Sequence, residues 1–318
     1  MIENKQSYAL VFGVSVFDIC GFTDRHYRCN DSNPGKVKTS FGGVCRNIAE
    51  SMARVGVNTK FISILGDDET GTRMLEHSNV MNYDMSNSLI IKGGNTPTYM
   101  AVLNEQGEMV SAVVDMKIID EFTTEFIDSK SEIIKGSEYM ILDADRPDLV
   151  EYIIKTFNGH TKFILDPVSA SKAEHVKHLI NNFHTIKPNR YEAEIMCGFE
   201  IKNEDDLRRA GKHFIDLGIE NVFITLDEDG IYYNNGKLEG KIKANNVKVV
   251  NVTGAGDSFV AGIAHGYTNQ VNLVDTVKFA IAMSTITIST EETIHPEMCY
   301  NLVEEYVENI DWTEIEYK

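Results

Sequence analysis

Apolar residues along this chain follow two alternating rhythms. Compact β-branched and aromatic runs read as strands buried on both faces: YALVFGVSVFDICG from Tyr8 to Gly21, then FISILG, EYMILDAD, KFILDPVS, HTIKPN and VFITLDEDG. Between them lie segments with helical spacing. GGVCRNIAESMARVG opens on two glycines, sets Val44, Ile48, Met52 and Val55 on one face, and stops at Gly56. LVEYIIKTF, AEHVKHLINNF and DDLRRAGKHFIDLG repeat the pattern. Strand and helix in turn predict βαβ units, hence an α/β fold whose mostly parallel central sheet is flanked by helices, in one domain spanning residues 1–318.

Two stretches break the rhythm. Residues 21–41 are polar and turn-rich, and residues 89–118 alternate in period two around the turns GGN and EQG. Both read as antiparallel hairpins outside the main sheet, together a small β-lid inserted into the domain.

Sheets of this kind hold ligands beyond the carboxyl ends of their strands. Asp18, Asp143, Asp166, Asn189 and Asp227 all follow apolar runs, where strands should end. The richest candidate is NVTGAGDSFVAG, residues 251–262. Strand-like IKANNVKVV leads into it, and Phe259, Ile263 and Tyr267 follow at helical spacing, so the glycines sit at a helix N-terminus. Successive amides there suit an oxyanion or a transferring phosphoryl group. A carboxylate would repel a phosphate held statically. Asp257 instead fits the task of accepting a proton from a hydroxyl that attacks phosphorus. The alternative is a plain glycine turn with an acid at a helix start. Neither GxxxxGK[ST] nor a complete GxGxxG occurs.

Two further constellations are weaker. In IKPNRYEAEIM, Asn189 and Glu192 share the first turn of a helix, where Glu192 could help hold a hydrated Mg²⁺ or simply cap the helix. Asp18, Gly43 and Asn47 could meet the vicinal hydroxyls of a sugar, or close a strand and cap a helix. His175 and His178 lack a third ligand and predict no metal site.

Charge and cysteines narrow the partners. A net charge of −18, from 48 acidic and 30 basic residues, argues against a nucleic-acid polymer, while local amides can still hold a small nucleotide. Five scattered cysteines without a CxxC pair point to a reducing compartment. No basic leader and no long apolar stretch is found, so a cytoplasmic location without membrane contact is expected.

In order and spacing, GGVCRNIAESMARVG, the NxxE from Asn189 to Glu192, TLDEDGIYY and VTGAGDSFVAG resemble the PfkB carbohydrate kinases, the ribokinase-like group, across nearly the whole chain. The resemblance implies a Rossmann-like domain with a β-lid, a homodimer through that lid, and transfer of the γ-phosphoryl of ATP, with Mg²⁺, to a sugar or nucleoside hydroxyl. It implies Asp257 as general base and Gly254, Ala255 and Gly256 as an anion hole. It places Asn189, Thr225 and Gly230 beside the nucleotide, Glu192 at the magnesium, and Asp18, Gly43 and Asn47 at the acceptor.

Within the group, DSNPGKVKTSFGGVCRNIAE, NTPTYMAVLNEQGEMVSAVVDM and STEETIHPE are similar to the bacterial pseudouridine kinases. That similarity implies the nucleoside's 5′-hydroxyl as acceptor, with Asp31, Ser32, Asn33 and Lys36 near the ligand. The alternatives are a ribokinase- or fructokinase-type sugar kinase, a kinase of another nucleoside, and a non-catalytic sugar or nucleoside sensor. Many members of the group carry Asp where this chain has Asn251, in a loop near a monovalent-cation site. Loss of that charge puts potassium activation in question.

Overall fold

The computed structural model of the protein describes residues 7–317. Its strands are β1 (Ala9–Phe12), β2 (Val16–Thr23), β3 (Gly35–Gly42), β4 (Thr59–Ile62), β5 (Ile64–Gly66), β6 (Tyr83–Asp84), β7 (Leu89–Ile91), β8 (Thr98–Leu103), β9 (Met109–Asp115), β10 (Tyr139–Asp143), β11 (Lys162–Asp166), β12 (Thr185–Ile186), β13 (Asn221–Thr225), β14 (Ile231–Asn234), β15 (Glu239–Ala244) and β16 (Trp312–Glu316). Its helices are α1 (Val44–Arg54), α2 (Glu69–Val80), α3 (Thr124–Ser129), α4 (Ser131–Lys135), α5 (Pro147–Phe157), α6 (Ala170–Val176), α7 (Arg190–Cys197), α8 (Glu204–Asp216), α9 (Ala255–Thr268), α10 (Leu273–Ile288) and α11 (Tyr300–Asn309).

Among the described residues, ten strands form the main sheet in the order β16-β15-β14-β13-β12-β11-β10-β1-β4-β6. It is parallel from β6 to β13 and antiparallel from β13 to β16. Alternating side chains of the central strands enter two separate cores. Leu10, Phe12, Met140 and Leu142 pack with α5, α6, α7 and α8 on one face. Ala9, Val11, Tyr139 and Ile141 pack with α1, α9 and α10 on the other. Apolar residues at every position of β1 and along β10 up to its terminal Asp143 are therefore what a sheet covered on both faces requires.

A second sheet of four strands, in the order β3-β2-β8-β9, lies where the sequence places the lid, and is called the lid. Its outline corrects three sequence expectations. The run Tyr8–Gly21 is not one strand, because it breaks at Gly13 and passes from the main sheet into the lid. A Cβ at Gly13 would lie 2.5 Å from Cys45 Sγ and 2.8 Å from Asp143 Oδ2, so the turn fits only where α1 and β10 leave room for glycine. Asp18 thus lies inside lid strand β2 and does not end a strand of the main sheet. The lid begins at Val16, and its second part covers 98–115; Leu89–Ile91 pairs instead with β5 in a separate small sheet, and Lys117–Glu121 is a 3-10 turn. β2 and β8 lie side by side in parallel, joining the two antiparallel hairpins.

A fourth correction, outside this sheet, concerns the approach to the glycine turn. The strand ends at Ala244, and residues 245–254 reach α9 without sheet pairing. Val250 N–H donates to the Ile288 carbonyl at 2.7 Å, so the C-terminus of α10 satisfies this backbone in place of a neighbouring strand.

Candidate active site

α9 begins without a side-chain cap. Its N-cap, Gly254, is left-handed at φ 82°, and a Cβ there would lie 2.2 Å from the Thr293 carbonyl oxygen. Glycine is required on both counts. The first intrahelical bond runs from Ser258 N–H to the Gly254 carbonyl at 2.9 Å. The Ala255 amide, expected in the anion hole with those of Gly254 and Gly256, instead donates to the Val252 carbonyl at 3.3 Å, whereas the amides of Gly256 and Asp257 have no acceptor within the helix. α10 holds this turn in place, since Ser284 Oγ donates to the Ala255 carbonyl at 2.8 Å and Ser258 Oγ meets Thr287 Oγ1 at 2.7 Å. Free amides, a helix dipole and an uncapped glycine turn are the donor set that a phosphate group needs.

Asp257 lies in the first turn of this helix, and α1 supplies its partner. Asn47 Nδ2 donates to Asp257 Oδ2 at 2.7 Å, across a sequence separation of 210. Burial, reinforced by the Asp166 carboxylate, pushes the Asp257 carboxyl up to about 7, against the pull of Asn47, Lys187 and Arg46. An acid tuned to neutrality is suited to giving and taking a proton near physiological pH.

Parallel register brings the next charges together. Asp143 and Asp166 end β10 and β11 side by side, and Lys187 follows β12. Lys187 is buried, with Nζ 3.0 Å from Asp166 Oδ2. Burial opposes its charge, yet Asp166, Glu192 and Asp257 outweigh it and hold the ammonium above its ordinary pKa. A Cβ on Gly256 would lie 2.8 Å from Nζ, so a fixed positive charge lies directly beside the turn.

Asn189 caps α7. Its Oδ1 accepts from Glu192 N–H at 2.9 Å, and Glu192 Oε2 accepts from Asn189 N–H at 2.7 Å, a reciprocal capping box. Glu192 is 2% exposed, and burial raises its carboxyl despite the Asn189 amide and Lys187. The capping geometry considered from the sequence is therefore present, while Oε1 of Glu192 and the Asn189 amide nitrogen stay outside the box. A hydrated divalent cation fits such a set, which offers one carboxylate oxygen on the Lys187 side of the α9 turn. Thr225 ends β13 next to Asn189, donating from its N–H to the Pro188 carbonyl at 3.0 Å. Gly230 stands apart from this group: at φ 88° it turns β13 into β14 and packs on the backbone of β15, where a Cβ would lie 2.3 Å from the Ile242 carbonyl oxygen.

Gly43, at φ 97°, opens α1 against the Val14 carbonyl and delivers Asn47 toward Asp257. Asp18 hangs from the lid beside Gly42, where a Cβ would lie 2.0 Å from Oδ2. Burial raises the Asp18 carboxyl and Arg46 lowers it. Asp31, Ser32 and Asn33 lie in the connection from β2 into β3, where Asn33 Oδ1 accepts from Arg28 N–H at 2.8 Å, and Lys36 is exposed on β3 itself, opposite Phe22 of β2.

Residues 290–294 close the other side of the turn. Asn251 Oδ1 accepts from Thr253 N–H, and its Nδ2 donates to the Glu291 carbonyl, both at 3.1 Å. Lys38 of the lid reaches Glu292 of the same segment at 2.8 Å.

Lys187 and Arg46 were missed in the sequence. KPN did place a lysine two residues before Asn189, but nothing local told that it was buried. A composition-based expectation puts such charges in solvent.

Comparison with known proteins adds four findings. A sequence profile for pfkB family carbohydrate kinases matches residues 6–298. The pseudouridine kinase of Escherichia coli K12 is 32% identical over 96% of this chain and 98% of its own length. Among solved structures, a Clostridium perfringens protein assigned to the sugar kinases is 58% identical and superposes with a TM-score of 0.96 over 99% of this chain and 100% of its own. The ribokinase of Arabidopsis thaliana, solved with ribose and ATP, shares the fold at a TM-score of 0.84 and 18% identity, over 95% of this chain and 98% of its own.

Proposed function

The chain belongs to the pfkB family of carbohydrate kinases, and on that premise we propose that it transfers the γ-phosphoryl of ATP to the 5′-hydroxyl of pseudouridine. The observation that carries the chemistry is Asp257 at the uncapped start of α9, held by Asn47 and tuned to about 7. The acceptor rests on a pseudouridine kinase matched along nearly the whole of both chains.

Asp257 accepts the acceptor's proton through Oδ1, its other oxygen being engaged by Asn47. An acid of this strength removes the proton late, as the hydroxyl becomes acidic in the transition state. The amides of Gly256 and Asp257, with Lys187 beside them, stabilise charge on the transferring group without moving. Glu192 would hold a magnesium ion, which when bound offsets phosphate charge, and Asn189, whose amide NH₂ is left free by the capping box, meets the nucleotide. Thr225 borders the nucleotide, Gly230 shapes the turn that follows it, and Asp18 and Gly43 meet the acceptor. One domain with an inserted lid shields them, so that the nucleoside and not water is phosphorylated. Among the described residues no helix is long and apolar enough to cross a membrane.

Initial rates with Mg²⁺-ATP and a panel of pseudouridine, uridine, adenosine, ribose and fructose test the acceptor. A strong preference for pseudouridine is expected. Preference for a free sugar would overturn the acceptor while leaving the kinase in place, and tight ligand binding without turnover would favour a sensor.

A further inference from the structure

Arg46 is a buried cation that the transfer chemistry above leaves without a task. It is 5% exposed on α1, beside Asn47. Nη1 meets Glu50 Oε2 at 2.5 Å, and Nη2 donates both to the Phe41 carbonyl at the root of the lid and to Asn47 Oδ1. Nε is buried with no hydrogen-bond partner among the described residues. Glu50 is also gripped by Arg54 and His77, each at 2.8 Å. Although burial pushes its carboxyl up, His77, Arg46 and Arg54 bring it down to about 2. Glu50 therefore already has two other cationic or donor partners, and stapling this carboxylate does not by itself call for a guanidinium at Arg46.

What Arg46 alone does is choose the orientation of an amide. A carboxamide has a donor end and an acceptor end. With Oδ1 of Asn47 accepting from Arg46, the NH₂ must face the other way, toward Asp257 Oδ2. That orientation suits an ionised Asp257. The flipped amide would present an acceptor and suit the protonated acid. We propose that Arg46 is a positioning residue for the base: it locks the Asn47 carboxamide as a donor to Oδ2, favours the ionised acid, and leaves Oδ1 for the acceptor's proton. Through Phe41 the same guanidinium ties this arrangement to the end of lid strand β3.

The inference rests on Asp257 being the base. Charged and titratable groups face Asp257 from three elements: Arg46 from α1, Asp166 from β11, and Lys187 after β12 with Glu192 of α7 behind it. Arg46 itself also faces Asp18 of β2 and Tyr83 of β6. Asp166 raises the Asp257 carboxyl, and Lys187 and Arg46 lower it. Loss of Arg46 must then move it upward.

The test is the pH profile of kcat/KM for the acceptor in Arg46→Met/Glu50→Gln, which removes both charges so that no carboxylate is orphaned. The acidic limb should rise by about one pH unit, which is a roughly tenfold loss below neutrality, with recovery at high pH and an unchanged KM for ATP. Arg46→Lys should restore most of the wild-type limb. A limb that stays in place, with a uniform loss at every pH, would show a merely structural role and overturn the proposal. Should the double variant not fold, the wild-type protein decides: the Asn47 carboxamide protons, assigned by their loss in Asn47→Ser, should give one slowly exchanging pair by NMR, and two interconverting pairs would overturn the lock. Asp257→Asn in parallel separates the two claims. If it keeps full turnover, the base assignment fails; if it abolishes turnover while the Arg46 limb is unmoved, only the positioning role fails.

Discussion

At Asp257 two demands on one side chain conflict. Burial and Asp166 favour the neutral acid, whereas the proposed proton transfer needs the anion. With a folded pKa of about 7 against about 3.9 in an unfolded chain, the folded protein binds the extra proton between those values. Its stability should therefore fall as pH rises from about 4 to 7, and the cost stays in full above 7. Asp257→Asn removes that cost, since its amide can still accept from Asn47. We expect this variant to melt a few degrees higher than wild type at pH 8, with turnover lower by roughly 10²-fold or more. Thermal melts and rates on the same preparations check both, and a lower melting temperature at pH 8 would contradict the buried-acid account. Asp257 was legible in the sequence because its signal is local: glycines, an acid, then a helical pattern. Lys187 was not, because its partner Asp166 comes from the neighbouring parallel strand, and a buried lysine reads like any surface one.

Elements were legible where their signal was periodic and misread where a distant contact decided. α1 follows from Val44, Ile48, Met52 and Val55 on one face, and its glycine opening is where GGV placed it. The break after β1 was hidden, because residues on both sides of Gly13 are apolar and only Cys45 and Asp143 forbid a side chain there. The segment before α9 carries β-branched residues yet forms no strand, since α10 takes its hydrogen bond. In that segment Asn251 joins the loop 245–254 to the loop around Glu291 through its own amide donor. That N–H makes the link between the two loops directly, with no ion between them. Rates in potassium, sodium and Tris buffers of equal ionic strength should thus agree within about twofold, given that the loop contact is already made. Potassium-dependent turnover would refute this role for Asn251.

For the whole molecule, alternation of strands and helices was enough to give a parallel sheet covered on both faces, whereas the lid's assembly was not readable. β2 and β8 are distant in sequence, and their parallel pairing follows from how the main sheet delivers them. The lid rests on the body through contacts that include Lys38 and Glu292, an ion pair half open to solvent and worth about 0–1 kcal/mol. So weak a tie suits a lid that opens for each substrate. Val37, Met100 and Val113 stand exposed on one face of this second sheet, a concentration of apolar surface suited to burial against a second copy. We expect a homodimer by light scattering and a monomer for Val113→Glu; a monomeric wild-type protein would remove the lid interface.

The most direct measurement follows the phosphate itself. Pseudouridine and Mg²⁺-ATP are incubated with the wild-type protein and with Asp257→Asn, and the products are read by ³¹P NMR. The account predicts a new phosphomonoester signal coupled to the 5′-methylene protons, growing with ADP in the wild type and nearly absent in the variant. A phosphate released to water, attached to another hydroxyl, or transferred equally well by Asp257→Asn would contradict it.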